Sequence, residues 1–104
     1  PNCDSVARPN ILMFSDWGWI QERTAKQREN LDRWMEQHNS SKLLVLEFGA
    51  GKSIPTVRMT CEKIARSNKG ELIRVNLREA DSSSIEIISI ELTAKEAIQR
   101  MSEI

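Results

Sequence analysis

A bend with two glycines in the middle of the chain is the segment best suited to bind a ligand. Residues 43–48 are almost continuously apolar and run into Gly49, Ala50 and Gly51, and Pro55 follows where it suits the first turn of a helix. Glycine lets the backbone approach a ligand closely, and a helix N-terminus presents unpaired N–H groups with partial positive charge. The glycine bend (residues 49–51) therefore indicates a nucleotide site or, alternatively, a tight strand-to-helix turn without a ligand.

The glycine bend does not fit the phosphate loop of nucleoside triphosphatases. Gly51, Lys52 and Ser53 match the end of that motif, but the motif also requires a glycine five residues before Gly51. That position is Leu46, which the apolar pattern places within a strand, whereas the phosphate cradle needs a loop there. The sequence therefore argues against a nucleoside triphosphatase.

Polar residues follow the next predicted strand. Residues 72–75 predict a strand, and Asn76, Arg78 and Glu79 come directly after it. In Rossmann-type sites a polar side chain about 20 residues beyond the glycine turn contacts ribose hydroxyls, and the separation here is somewhat longer. Asn76 and Arg78 could equally do no more than solvate the end of the strand. Taken with the glycine bend, they favour a nucleotide crevice.

Strands and helices alternate along the chain. Apolar runs predict the strands, and apolar residues three and four apart predict the helices. The predicted elements are a strand at 11–14, a helix at 21–37, a strand at 43–48 covered on both faces, a helix from Pro55, a strand at 72–75, a β-rich run at 85–92 and a final helix. This order predicts an α/β fold with a three-layer, Rossmann-like parallel sheet and helices on both faces.

The ends and faces of two helices can be assigned from the sequence. The buried stripe of the helix from Pro55 is predicted to contain Val57, Cys61, Ile64 and Ala65. Lys69 and Gly70 are expected to end that helix, because glycine is common just past a helix C-terminus. Thr93 with Glu96 three residues later forms a capping box, so the final helix is predicted to begin there.

Composition and charge restrict the class of protein. The 104 residues include 15 Lys plus Arg and 15 Asp plus Glu, a formal net charge of +0. This balance argues against a protein that binds the phosphate backbone of nucleic acids. No apolar run approaches the roughly 18 residues that cross a membrane. Cys3 and Cys61 provide no disulfide framework, so we expect a cytoplasmic protein with neither a nucleic-acid nor a membrane partner.

Three segments resemble sirtuins, the NAD-dependent protein deacylases. Residues 8–16, RPNILMFSD, resemble the family segment RP-x-x-V-x-F-G-E. Residues 49–55, GAGKSIP, fall where the family has its second cofactor-contacting turn, G-T-S-x-x-V-x-P, and residues 72–76, LIRVN, are similar to a strand that ends in Asn. The order and spacing of the three segments agree with the family, and the resemblance weakens after Glu79.

The resemblance implies which residues meet cofactor and substrate. Gly49, Ala50 and Gly51 would line the ribose and phosphate region of NAD, and Asn76 would contact the adenosine ribose with Arg78 and Glu79 nearby. Phe14, Ser15 and Asp16 would lie where an acyl-lysine peptide or protein substrate pairs as an added β-strand. Cys3 would be a remnant of a zinc-binding cysteine pair. A tetrahedral zinc site needs four ligands, however, and the chain has no Cys-x-x-Cys.

The chain departs from the family at several of these positions. The catalytic histidine of sirtuins follows an Asn-x-Asp segment that this chain does not contain, and the single histidine, His38, is expected at the surface or at a helix end. Ser15 and Asp16 stand where the family has Gly-Glu, and Ala50 and Gly51 stand where it has Thr-Ser. Substrate preference, and deacylation itself, are therefore left open by the sequence.

These observations lead to one expectation with two alternatives. We expect residues 1–104 to be the carboxyl-terminal, NAD-binding half of a sirtuin-like deacylase domain, which removes acyl groups from lysine and releases nicotinamide. The upstream half of its own chain would then supply the base and the first phosphate loop, so the isolated chain should be almost inactive. The alternatives are a sirtuin-like NAD hydrolase and a non-catalytic nucleotide-binding α/β module.

Overall fold

The computed structural model describes residues 4–81 and 87–103. Two units are distinguished along the chain, the first up to Gln37 and the second from His38 onward. The first unit contains helix α1. The second contains a parallel sheet and two further helices. The described elements are α1 (Glu22–Gln37), β1 (Leu44–Phe48), α2 (Thr56–Ser67), β2 (Glu71–Val75), β3 (Ile88–Ile90) and α3 (Ala94–Met101).

The three described strands form one parallel sheet in the order β1-β2-β3. Phe48 at the end of β1 pairs with Val75 at the end of β2, which in turn pairs with Ile90 at the end of β3. The carboxyl ends of the strands therefore meet at one edge of the sheet, and the segments that follow β1 and β2 begin side by side there. The predicted α/β class with a parallel sheet is confirmed.

One face of the sheet is covered by α2, which packs on β1 and β2. On the other face Leu44, at 57% exposure, Leu46 and Ile88 remain substantially exposed. Among the described strands β1 pairs only with β2, so it lies at an edge of the sheet. Within the described residues, β1 is thus an edge strand with one covered face, not the predicted central strand covered on both, because a continuous apolar run does not distinguish one covered face from two.

Helix α2 packs with most of its predicted apolar stripe inward, since Ala65 is buried and Cys61 and Ile64 are half-buried, but Val57 departs from the prediction. Val57 is 57% exposed, whereas Arg58 and Ala65 are buried and Cys61 is half-buried. The buried side of α2 thus includes a guanidinium in place of the predicted valine. Arg58 can be buried because backbone carbonyls accept hydrogen bonds from it.

The exit from α2 occurs where the sequence predicted it. Lys69 has φ of +48°, and the N–H of Gly70 donates to the carbonyl of Ala65 at 2.9 Å, which satisfies one of the last helical carbonyls. A Cβ at residue 70 would clash with the carbonyl oxygen of Leu43. The next amide, that of Glu71, donates to this same oxygen at 2.9 Å, so glycine lets β2 start directly against the strand region before β1.

The strand predicted at residues 11–14 does not form. Residues 11–13 have no regular structure, Phe14 and Ser15 form a turn, and Ser15 has φ of +59°. Phe14 is 86% exposed, so its side chain gains little from burial. In the part of the chain that the structure describes, no strand pairs with these residues, and a four-residue apolar run without a partner gains little from being extended. The sequence pattern alone contains no information about a partner.

The last two elements follow the predicted order. Of the β-rich run predicted at 85–92, residues 88–90 form β3, and positions 85 and 86 lie outside the described residues. Thr93 caps α3 as predicted: its hydroxyl accepts from the Glu96 N–H at 3.2 Å, and the Glu96 carboxylate accepts from the Thr93 N–H at 3.1 Å. None of the described helices is both long and apolar enough to cross a membrane.

Candidate functional site

The glycine bend begins with a residue in the left-handed region of the backbone. Gly49 has φ of +67°, a value that side-chain-bearing residues adopt at a cost. Its N–H donates to the carbonyl of Val75 at 2.9 Å, so the β1–β2 ladder continues one residue beyond β1 before the chain turns. The bend is therefore anchored to the carboxyl end of β2.

The next carbonyl holds the bend against the rest of the site. The Ala50 oxygen accepts a hydrogen bond from Nη1 of Arg58 at 3.0 Å and another from Nδ2 of Asn76 at 3.1 Å. Within residues 4–81 and 87–103, no acceptor pairs with the backbone N–H of Ala50 or of Gly51. These two donors are therefore left for solvent or a ligand.

Asn76 links the segment after β2 to the bend. Its side-chain oxygen accepts from the N–H groups of Arg78 and Glu79, both at 3.0 Å, in the manner of an Asx turn. Its amide nitrogen donates to Ala50, as above. The residue that the resemblance assigned to the adenosine ribose thus also holds two loops together, and the described contacts use one of its two amide hydrogens.

Two carboxylates of the polar segment (residues 76–81) reach across to Lys52. The Glu79 carboxylate accepts from the Lys52 backbone N–H at 2.9 Å, and the same oxygen would lie 3.5 Å from a Cβ at Gly51. The Lys52 ammonium donates to both carboxylate oxygens of Asp81, at 2.7 and 2.9 Å. This hydrogen bond, together with the charge of the ammonium, lowers the pKa of Asp81.

Arg58 is part of the site and was not predicted from the sequence. It is only 6% exposed, and it donates from Nη1 to the carbonyls of Ala50 and Glu79 and from Nη2 to that of Asp81. Its position within an amphipathic pattern suggested the solvent face of α2. The one available signal was its place in the first turn of the helix that follows the glycine bend.

A buried ion pair lies between β1 and β2, four residues into each strand. Arg74 and Glu47 are almost completely buried, and two parallel hydrogen bonds join them: Nε to Oε1 at 2.5 Å and Nη2 to Oε2 at 3.0 Å. Nη2 also donates to Glu62 of α2 at 3.0 Å. The Glu47 hydrogen bond is the main cause of the raised pKa of Arg74, against the opposing effect of burial. Opposite charges at the same position of two strands were the sequence signal for this pair.

The half-buried thiol of Cys61 lies beside this ion pair. Burial raises its pKa, and the negative charge of Glu47 raises it further. A raised pKa keeps the thiol protonated at neutral pH, so Cys61 is not suited to act as a nucleophile.

The predicted substrate residues Phe14, Ser15 and Asp16 belong to the first unit. The Asp16 carboxylate accepts from Arg8 at 2.6 and 3.3 Å, and this hydrogen bond is the main reason that the pKa of Asp16 is lowered. Phe14 and Ser15 form a turn in place of the extended segment with which a peptide strand could pair. A cavity of about 700 Å³ in the same unit is lined by Trp17 and Trp19, among others.

Two further predicted positions have a simpler outcome. The Arg78 side chain is exposed, and its backbone N–H takes part in the Asx turn. Cys3 lies outside the described residues. In residues 4–81 and 87–103 no group of three or more His, Cys, Asp or Glu side chains is placed to hold a metal ion.

The residues predicted for cofactor binding are thus brought to one place. Hydrogen bonds join Asn76 to Ala50 and to Glu79 at the carboxyl edge of the sheet, and Gly49 is bonded to Val75 beside them. We call this arrangement of glycine bend and polar segment the carboxyl-edge site. Comparison of the chain with protein-family models, with curated proteins and with solved structures finds no match. The geometry of this site and the short motifs within it are therefore the observations that point to a function.

Proposed function

We propose that the carboxyl-edge site binds NAD and that the chain is the cofactor-binding part of a sirtuin-like protein deacylase. In this proposal the parallel sheet is the Rossmann-like half of a larger three-layer domain, with helices on both faces. The exposed outer edge of β1 and the exposed side chains of Leu44 and Leu46 suit a domain in which further elements pack there. The upstream half of the same protein would provide those elements.

The observation that carries the proposal is the pair of N–H groups at Ala50 and Gly51. They lack an acceptor among the described residues, and they lie where the chain passes from β1 toward α2. In open α/β sheets ligands bind beyond the carboxyl ends of the strands, and a helix N-terminus attracts anions. Pro55 at the N-cap of α2 provides no capping side chain. A pyrophosphate group suits this set of donors.

The polar segment suits the ribose of the same cofactor. Glu79 presents a carboxylate, which accepts hydrogen bonds from ribose hydroxyls, and Asn76 has an amide hydrogen that the described contacts do not use. The Glu79 carboxylate already accepts a hydrogen bond from the Lys52 N–H. An anion at the bend would therefore use the N–H groups of Ala50 and Gly51.

The reaction needs groups that this site does not contain. Bound NAD would supply an electrophilic ribose carbon that an acyl oxygen attacks with loss of nicotinamide, and a general base must assist the later transfer of the acyl group. The only histidine of the chain, His38, precedes β1, whereas the carboxyl-edge site follows the other end of that strand. In this proposal the base comes from the upstream half.

The missing base also favours a second candidate, a nucleotide-binding module without catalytic activity. In that case NAD or a related nucleotide would bind with no turnover. A sirtuin-like NAD hydrolase is the third possibility, and it would release nicotinamide without needing an acylated peptide.

NAD titration by calorimetry tests the proposed site. The wild-type full-length protein should bind NAD, and Gly49→Val should weaken binding at least tenfold because valine is strained at φ of +67°. Gly18→Ala is the control, since a Cβ at residue 18 meets nothing within 4 Å. Equal affinities of wild type and Gly49→Val, or no binding by the wild type, would contradict the proposal.

A nicotinamide-release assay then separates the three activities. Release that depends on an acyl-lysine peptide supports the deacylase, and release without peptide supports the hydrolase. NAD binding with no release supports the non-catalytic module.

A further inference from the structure

Arg58 is a buried cation that faces backbone oxygens instead of a carboxylate. Three carbonyls accept from it, those of Ala50 at 3.0 Å, Glu79 at 2.9 Å and Asp81 at 2.8 Å. No acidic side chain of the described residues lies within ion-pair distance of its guanidinium. Buried charges are normally paired with a carboxylate, whereas this guanidinium is satisfied by neutral oxygens. The pKa of the nearby Asp81 is lowered chiefly by the hydrogen bond from Lys52, its ion-pair partner, and the charge of Arg58 also contributes.

The Ala50 carbonyl makes this contact important for the orientation of the glycine bend. A trans peptide is planar, so the carbonyl of Ala50 and the N–H of Gly51 point in opposite directions within one plane. Arg58 and Asn76 hold the oxygen of that plane on the inner side. The Gly51 N–H must then point away from Arg58, toward the outside of the bend.

The same guanidinium fixes the neighbouring loop. Its bonds to Glu79 and Asp81 hold both ends of the stretch that carries the Glu79 carboxylate, which in turn accepts from the Lys52 N–H. One side chain therefore sets the bend and the polar segment relative to each other. Lysine could not replace it fully, because its single ammonium cannot present the planar fork of donors that these three oxygens accept.

We propose that Arg58 is the positioning residue of the carboxyl-edge site: it directs the Gly51 N–H toward a bound pyrophosphate and supplies a positive charge beneath it. This inference rests on the proposed NAD function. It assigns to α2 a role in anion recognition, although Arg58 need not touch the cofactor.

The test compares NAD affinity with thermal stability in three variants of the full-length protein. Arg58→Met removes both the charge and the fork, and Arg58→Lys keeps the charge alone. Ala65→Gly is the matched control, because it loosens the same helix at a buried position away from the bend. Calorimetry gives the Kd for NAD, and a melting curve gives the Tm of each variant.

We expect Arg58→Met to raise the Kd for NAD at least tenfold and Arg58→Lys to raise it about threefold. Ala65→Gly should leave the Kd within twofold of wild type despite its lower Tm. Amide exchange without NAD provides a second measurement: the Lys52 N–H should exchange faster in Arg58→Met than in Ala65→Gly, because the loop that carries Glu79 is released.

The possible failures can be told apart. If the wild type binds NAD and the Arg58 variants bind it equally well, or lose affinity only in proportion to their Tm as Ala65→Gly does, the positioning role is wrong and the proposed function stands. If the wild type does not bind NAD, the proposed function and the cofactor role of Arg58 both fail. If Arg58→Met does not fold, Arg58→Lys decides by the same comparison with Ala65→Gly.

Discussion

The two units of the chain contain similar kinds of residues but organise them differently. In the first, α1 has no buried residue, and Trp17 is 95% exposed. Its described ion pairs are local, such as those of Glu29 with Lys26 and Arg33. In the second unit the buried pair Glu47–Arg74 joins residues 27 positions apart, and the core includes Leu72 and other apolar side chains.

This difference shows why the candidate site is in the second unit. Parallel strands bring the segments after residues 48 and 75 to the same edge, so side chains distant in sequence can share hydrogen bonds. A single helix offers only neighbours three or four residues apart. If the contacts of the second unit are also the stronger ones, substitutions there should lower the free energy of unfolding more than matched substitutions in the first unit.

The largest difference in unfolding free energy between the two units should come from substitutions in their ion pairs. Arg74→Met leaves the Glu47 carboxylate buried without its partner, which should cost roughly 3–5 kcal/mol of unfolding free energy. Glu29→Gln in α1 removes two exposed local ion pairs and should cost less than about 1 kcal/mol. Urea unfolding monitored by circular dichroism measures both changes. Similar losses in the two variants would contradict the contrast between the units.

Glycine substitutions in the two units should also differ in the stability they cost, but by a smaller amount than the ion-pair substitutions. Gly70→Ala places a Cβ against the Leu43 carbonyl and should destabilise the protein by about 1–3 kcal/mol, because backbone must move to admit it. Gly18→Ala in the first unit meets nothing within 4 Å and should change stability by less than about 0.5 kcal/mol. A neutral Gly70→Ala would mean that β2 does not start against Leu43 as described.

The cap of α3 in the second unit is a local contact, so it should contribute less to the free energy of unfolding than the buried ion pair. Thr93→Ala removes the capping box of α3 and should cost about 1 kcal/mol, whereas Thr93→Ser keeps the hydroxyl acceptor and should cost less. Urea unfolding of both variants measures the difference. Equal stability of Thr93→Ala and wild type would show that α3 does not depend on its cap.

The smallest effects should appear in acid. The pKa values of Asp16 and Asp81 are both lowered, by Arg8 and Lys52 respectively. Each ion pair therefore contributes stability that is complete above the ordinary carboxyl pKa, near 4, and is lost as the pH falls through the lowered folded-state value. Carboxyl-carbon NMR titration should find both values below the ordinary one.

A matched pair of variants sharpens the acid test. Arg8→Gln should raise the pKa of Asp16 toward its ordinary value and leave that of Asp81 unchanged, and Lys52→Gln should do the reverse. If the pKa of Asp81 stays low in Lys52→Gln, the Lys52 ion pair does not cause its shift.

Much of the candidate site followed from the sequence because glycine and Asn carry local signals. The sequence predicted a glycine bend after one strand and polar residues after the next, both near a ligand. The left-handed backbone at Gly49 and the turn at Asn76 lie at these positions and depend on residues only a few positions away. Arg58 was not predicted, because its three acceptors lie 8, 21 and 23 positions away along the chain. Helical periodicity contains no information about such partners.

Sequence patterns were sufficient to predict the helices, the α3 cap, the exit from α2 at Gly70 and the order of strand and helix in the second unit. These features depend on backbone preferences and on contacts within about one helical turn. Three features could be seen only in the folded chain: among the described strands β1 lies at an edge, residues 11–14 form no strand, and Arg58 is buried. Strand register and helix packing bring together residues far apart in the chain, and a charged side chain becomes a core residue only when such partners satisfy it.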